Sequence, residues 1–183
     1  LIMHHLISDG WSAQLIQSIL LKAIADEPIV WQNLSGSYIQ YAQDAYRFAQ
    51  TEEYARRLDY WKGYLQEVSE LQLPMLNRDS NPEFSGGTYT RAIPQELTEK
   101  IQAFCRNHSL TPFLFYCSVY LLVLARISKQ ADFGIAFPFW GREQNAYRQT
   151  IGYFVNILFL RYKKEYESLT FLRYLKELSH CLM

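Results

Sequence analysis

The run Met3-His4-His5-Leu6-Ile7-Ser8-Asp9-Gly10 sets two adjacent imidazoles ahead of a carboxylate and closes on a glycine. At ordinary composition, a chain of 183 residues shows this pattern by accident less than about once in a thousand cases. Imidazole is the side chain best suited to share or exchange a proton near neutral pH. Its surroundings suit such a role. Leu1-Ile2-Met3 reads as the end of an apolar strand, and Asp9-Gly10-Trp11-Ser12 as a turn into a helix that Asp or Ser can cap. A strand-loop-helix junction can hold an imidazole at the floor of a cleft. A histidine beside an apolar strand is nonetheless more often a packed or solvated residue than a reactive one. Two downstream segments bear on the choice.

These residues need elements to hold them. Residues 11–25 carry Leu15, Ile16, Ile19, Leu20, Ala23 and Ile24 at helical spacing, and Asp26-Glu27-Pro28 stops the run. Residues 37–50 predict a second amphipathic helix, with Tyr38, Tyr41, Ala42, Ala45 and Ala49 on one face. Residues 52–68 predict a third, with Ala55, Leu58, Trp61, Leu65 and Val68 facing inward. The stretch 73–87, rich in Pro, Asn, Asp, Ser and Gly, reads as the connection between two lobes.

Beyond that connection the pattern turns mixed α/β. Residues 88–93 predict a short strand, and Pro94 opens a helix with the stripe Leu97, Ile101, Phe104 and Cys105. Thr111-Pro112 is a cap followed by a first-turn proline, starting a buried helix to about Ile127. Residues 133–139 and 153–162 read as strands, and Thr170 onward as a helix. No short-period repeat is present.

Composition narrows the class. About half the chain (49%) is hydrophobic, enough to bury a sizeable core, and 18 basic residues cancel 18 acidic ones. Without a basic stripe, nucleic acid is not an expected partner. Cys105, Cys117 and Cys181 have neither metal-ligand spacing nor a pairing pattern and read as reduced core or helix residues. Leu1-Ile2 has no basic leader or cleavage site. The most apolar run, residues 113–125, is too short to span a bilayer. A cytoplasmic protein that engages no membrane is expected, and both ends read as cut.

The stretch His4-His5-Leu6-Ile7-Ser8-Asp9-Gly10-Trp11-Ser12 resembles the signature of condensation domains from nonribosomal peptide synthetases. The resemblance continues through Ser37-Tyr38-Ile39-Gln40-Tyr41-Ala42 and Tyr60-Trp61, then Asp132-Phe133-Gly134-Ile135-Ala136-Phe137-Pro138 with Gly141-Arg142. It ends in Ile151-Gly152-Tyr153-Phe154-Val155-Asn156, which is similar to the family's Ile-Gly-x-Phe-Val-Asn motif. It implies an α/β, chloramphenicol-acetyltransferase-like fold of two lobes in a V, here incomplete at both ends. Residues 1–72 would be the end of the N-terminal lobe, 73–87 the inter-lobe linker and 88–183 the first part of the C-terminal lobe.

The implied reaction is amide formation between a carrier-bound acyl or peptidyl thioester and a carrier-bound aminoacyl acceptor. The implied partners are upstream and downstream peptidyl carrier domains and an adjoining adenylation domain. No cofactor or metal is bound directly; the substrates ride on the carriers' phosphopantetheine arms. His5 is then the central residue, as general base toward the amine or as the group that positions it. His4 shapes the loop. Asp9 is expected to hold the loop through an arginine, Arg161 first and Arg142 second, the alternative being a helix cap. Gly10 would let the backbone approach the phosphopantetheine tunnel or serve as a turn glycine. Asn156 would donate near the channel or satisfy strand backbone, and Trp11 and Ser12 complete the channel and structural set.

The two histidines resemble the ordinary condensation subtype, since cyclising relatives carry aspartates there. Gly10-Trp11-Ser12 differs from the Val-Ser-Trp pattern that follows Asp-Gly in epimerising relatives. Gln40 and Asp44 depart from the family pattern, and Phe137, Phe139 and Trp140 make an unusually bulky stretch. Two other functions share parts of these motifs: a noncatalytic condensation-like domain that docks carriers or recruits a partner, and a stand-alone acyltransferase. Cut at both ends, the chain alone is expected to be inactive.

Overall fold

A computed structural model describes residues 2–29, 36–74, 87–142 and 144–180. The elements in chain order are α1 (Gly10–Ile24), α2 (Tyr38–Phe48), α3 (Glu52–Leu65), α4 (Gln95–Asn107), α5 (Pro112–Ser128), β1 (Asp132–Phe139), β2 (Asn156–Lys163) and α6 (Phe171–His180). Short 3-10 turns occupy Asn145–Tyr147 and Lys164–Ser168. β1 and β2 hydrogen-bond to each other as a two-stranded sheet.

Helix starts follow local chemistry. The side chains of Asp9, Ser37, Thr51 and Thr111 each accept the backbone N–H three residues on, at the heads of α1, α2, α3 and α5. Pro112 fills the first turn of α5, and that helix ends at Lys129, whose φ of 56° is left-handed. The expected helices are therefore present, with ends shifted by a residue or two and α3 three residues shorter.

Two strand expectations differ. Residues 88–93 are irregular and exposed, and residues 2–4 form no strand. Extended backbone becomes a strand only when a neighbour takes its N–H and C=O groups, and neither segment has such a neighbour among the described residues. β2 starts at Asn156 rather than residue 153, because the backbone of residues 152–154 bonds to side chains instead of a strand.

The chain forms two compact units: Leu1–Gln66 with Ala136–Leu158, and Glu67–Ile135 with Phe159–Met183. The segment 136–158, on the far side of the expected linker, thus packs with the first 66 residues. Of that linker, residues 75–86 lie outside the described residues.

The second unit has an ordinary apolar core: Ile101 and Cys105 of α4, Leu114, Leu121, Leu124 and Ala125 of α5, Tyr174, Leu175 and Leu178 of α6, with Phe133, Leu160 and Tyr162 from the strands. Tyr174 donates to the carbonyl of Ser118, whose own hydroxyl is tied to Leu114 O, so these polar atoms inside are satisfied. Burial pushes the Tyr174 phenol well up; with a hydrogen bond to Glu167, it pushes Tyr162 up to about 12. Burial likewise raises the thiols of Cys105 and Cys117, which keeps them protonated. Cys181 lies outside the described residues.

The first unit is built differently. No apolar side chain of α1, α2 or α3 is fully buried among the described residues, and the expected inward stripes are half-exposed. Its buried set is instead largely polar: Ser8, Asp9, Ser12, Arg142 and Thr150, with Tyr147 and Phe154.

Candidate active site

The loop before α1 is folded by His4 and His5. The carbonyl of His4 accepts the Ile7 N–H at 3.1 Å and the Ser8 hydroxyl at 3.2 Å, closing a tight turn. The His4 ring Nδ1 accepts the Leu6 N–H at 3.1 Å, so His4 is occupied with the loop itself. His5 Nδ1 lies 2.7 Å from the carbonyl oxygen of Ser8. A carbonyl only accepts, so Nδ1 carries the hydrogen, and in the neutral ring Nε2 holds the lone pair. The His5 side chain is exposed, and its ring meets Tyr153 edge-to-face at 5.4 Å between centroids.

Asp9 is buried and fully employed. One carboxylate oxygen accepts the Ser12 N–H (2.8 Å), capping α1, and also Arg142 Nη2 (2.9 Å). The other accepts the same Nη2 (3.0 Å) and the Phe154 N–H (3.0 Å). Burial alone would raise its pKa; the bonds from the Ser12 and Phe154 amides and from Arg142 outweigh it and hold the carboxyl below its usual value. The ion pair and the cap, set against each other on sequence grounds, are both made by one carboxylate.

The expectation that Arg161 holds Asp9 is corrected. Arg142, the second candidate, is the partner, and neither side chain of this pair is exposed to solvent. Arg161 belongs to the second unit, where it makes a two-pronged pair with Asp132 of β1. Both reside on paired strands, and the short cross-strand route satisfies Arg161 locally.

Arg142 is the hub of the first unit. Nη1 donates to the carbonyls of Tyr147 and Thr150, and Nη2 to Asp9, to Ser12 Oγ (2.9 Å) and to Gly152 O (3.3 Å). Its guanidinium lies 3.9 Å from the centre of the Phe154 ring, a cation–π contact at a buried site. Among the described residues, its Nε alone is a buried side-chain polar atom without a partner. Phe154 in turn packs on Tyr38, Tyr41 and Tyr147. Tyr147 donates to Asp44, and Gln40 donates to the same carboxylate. The two residues that depart from the family pattern on α2 are thus hydrogen-bonded to each other. The neighbouring glycines are required: a Cβ on Gly141, at φ +65°, would strike Phe154 O, and one on Gly152 would strike the Tyr38 ring.

The remaining expected residues lie close by or apart. Ser12 Oγ donates to Gly152 O (2.8 Å) and accepts Gly152 N–H (3.0 Å), which makes it a structural bridge. Trp11 Nε1 donates to Arg148 O at 2.8 Å, and its ring meets Trp140 edge-to-face. Gly10 opens α1; a Cβ there would meet nothing within 4 Å, so no protein contact demands a glycine. Asn156 accepts the N–H of Ile157 at the start of β2, the strand-backbone alternative. Sequence reasoning passed over Tyr153, Tyr147 and Thr150. Tyr153 stands at the variable position of the Ile151–Asn156 motif, so no pattern marked it. Among the described residues no three His, Cys, Asp or Glu gather as a metal site, and no single helix is long and apolar enough to cross a membrane.

Comparison with known proteins places this site in context. A family model described as "Condensation domain" matches residues 1–183. The nonribosomal peptide synthetase dtxS1 of Metarhizium robertsii is 32% identical over 181 residues, which is 93% of this chain and 2% of that protein. The enniatin synthase of Fusarium equiseti is 29% identical over 168 residues, 88% of this chain and 5% of that one. The chain therefore spans only a few per cent of these relatives' length. Among solved structures, the condensation domain of the monacolin K polyketide synthase MokA superposes with a TM-score of 0.80 at 18% identity, covering 98% of this chain and 42% of that one. The first condensation domain of the CDA synthetase gives 0.75 at 19% identity, covering 98% and 40%. The α/β fold of these neighbours is the one expected from the sequence.

Proposed function

The chain belongs to the condensation-domain family, and from that premise we propose that it forms amide bonds between two carrier-bound substrates. The free amine of an aminoacyl thioester attacks the carbonyl of an acyl or peptidyl thioester. A C–N bond forms, the C–S bond breaks, and the donor's phosphopantetheine sulfur leaves as the thiol. The donor chain is now on the acceptor carrier. An α-amine has a pKa of about 8, so a useful fraction is neutral at physiological pH and no strong base is needed.

The observation that carries this reading is the state of His5. Its Nδ1–H is committed to Ser8 O, which leaves Nε2 as an acceptor on an exposed edge of the loop. Nε2 accepts the hydrogen bond of the attacking amine, orients it, and takes up the proton as the tetrahedral species forms. Asp9 plays no part in a proton relay, because Arg142, Ser12 and Phe154 occupy it. It holds the loop that carries His5. Tethered substrates arrive already positioned, which accounts for a reaction that asks so little of the site's titrating groups. Gly10 leaves open space beside the loop for the substrate arm.

The partners in this reading are upstream and downstream peptidyl carriers and an adenylation domain that loads the acceptor, in a cytoplasmic multidomain enzyme. The lobe division at residues 73–87 belongs to the same reading. His4 and His5 support ordinary condensation over cyclisation. The test is a substrate requirement. In the full-length protein, condensed product detected by mass spectrometry should need both carriers loaded. Product from an untethered acceptor alone would favour a stand-alone acyltransferase, and none under any loading would favour a docking domain.

A further inference from the structure

We propose that Tyr153 is a positioning residue for His5: its ring buttresses the imidazole, and the buried Arg142–Asp9–Ser12 network exists in part to hold it there. This rests on the reading that His5 is the reactive group.

His5 sits on an irregular loop, with one hydrogen bond fixing its ring. The last torsion of a histidine is soft, so one bond at Nδ1 leaves the ring free to swing. Tyr153 supplies the second constraint, ring against ring at 5.4 Å and 80°. Tyr153 is itself held from both sides. Gly152 exchanges two hydrogen bonds with Ser12 Oγ, and Phe154 N–H donates to Asp9. Residues 152–154 are therefore docked onto residues 9–12, the same loop junction that carries His5. Along this segment burial alternates: Gly152 and Phe154 are buried, and Tyr153 is exposed. Phe154 turns in to Arg142 and the tyrosines of α2, whereas the exposed Tyr153 ring meets His5. Its hydroxyl has no role in this account; the ring supplies the constraint.

Three variants of the full-length protein separate the outcomes. Tyr153→Ala should lower kcat for condensation about tenfold with KM for both carriers little changed, as expected when a reacting group is misplaced and substrate binding is intact. Tyr153→Phe should stay within about twofold of wild type, since the ring packing survives. In protein with labelled histidine, nitrogen chemical shifts should show His5 held as the Nδ1–H tautomer in wild type and Tyr153→Phe, and spread between tautomers in Tyr153→Ala. If Tyr153→Ala does not fold, Tyr153→Leu replaces it with the same expectation. An unchanged His5 tautomer in Tyr153→Ala, or equal losses in the Phe and Ala variants, overturns the proposal. The two failures are distinguishable: if His5→Ala condenses normally, the functional reading falls, while the tautomer measurement still decides whether Tyr153 holds His5.

Discussion

Asp9 and Arg142 stand 133 residues apart in the chain and form a buried ion pair that organises the first unit. Removing one member of such a pair strands the other's charge and costs about 3–5 kcal/mol. Asp9→Asn and Arg142→Met should therefore each lower stability strongly, and the double variant should lose much less than the sum. Asp9→Asn with Arg161→Ala should be additive, because Arg161 is paired with Asp132. Denaturant midpoints of the single and double variants measure both cycles. The same pair sets an acid limit. Because the folded carboxyl of Asp9 lies below its ordinary 3.8, its contribution is complete above that pH and is lost as pH falls through the lowered value. Stability measured from about pH 6 down to about pH 3 should show a downward acid limb that Asp9→Asn flattens. An arginine partner for Asp9 was expected with a helix cap as the alternative, and the carboxylate makes both contacts. Which arginine was not legible in the sequence, because either position is equally reachable until the path of residues 136–158 is known.

Helices were readable wherever a cap and an apolar period coincide, as at Ser37, Thr51 and Thr111-Pro112. Strands were readable only where they found partners. Residues 133–139 became part of β1, whereas 88–93 stayed irregular, since a strand is a property of two segments. The segment 152–154 shows a third case, in which irregular backbone is held by side chains of a distant helix start. Its approach depends on Gly141 and Gly152, which admit Phe154 and Tyr38 where a methyl would clash. Gly141→Ala combines a left-handed backbone with a steric conflict and should cost about 2 kcal/mol or more. Its melting temperature should fall, and the His5 signals should shift with it. A melting temperature equal to wild type would mean that residues 141 and 154 are not packed as described.

The chain spans about two fifths of the solved condensation-domain chains it matches (42% and 40%). Phe113, Tyr116, Tyr120, Val123 and Ile127 of α5 are each between 38% and 55% exposed, and Leu20, Leu21 and Ile24 of α1 are exposed as well. The 183-residue chain alone should bind a hydrophobic dye, associate with rising concentration in light scattering, and yield no condensed product. A dye-silent monomer with turnover abolished by His5→Ala would contradict this. In the full-length protein the decisive experiment is a single-turnover assay with donor and acceptor carriers both loaded, comparing wild type with His5→Ala. Carrier loading should be unchanged and the protein should remain folded at the assay temperature, while the rate of amide formation falls about a hundredfold or more. Product formation at a near-wild-type rate by His5→Ala would remove His5 from the reaction and with it the proposed mechanism.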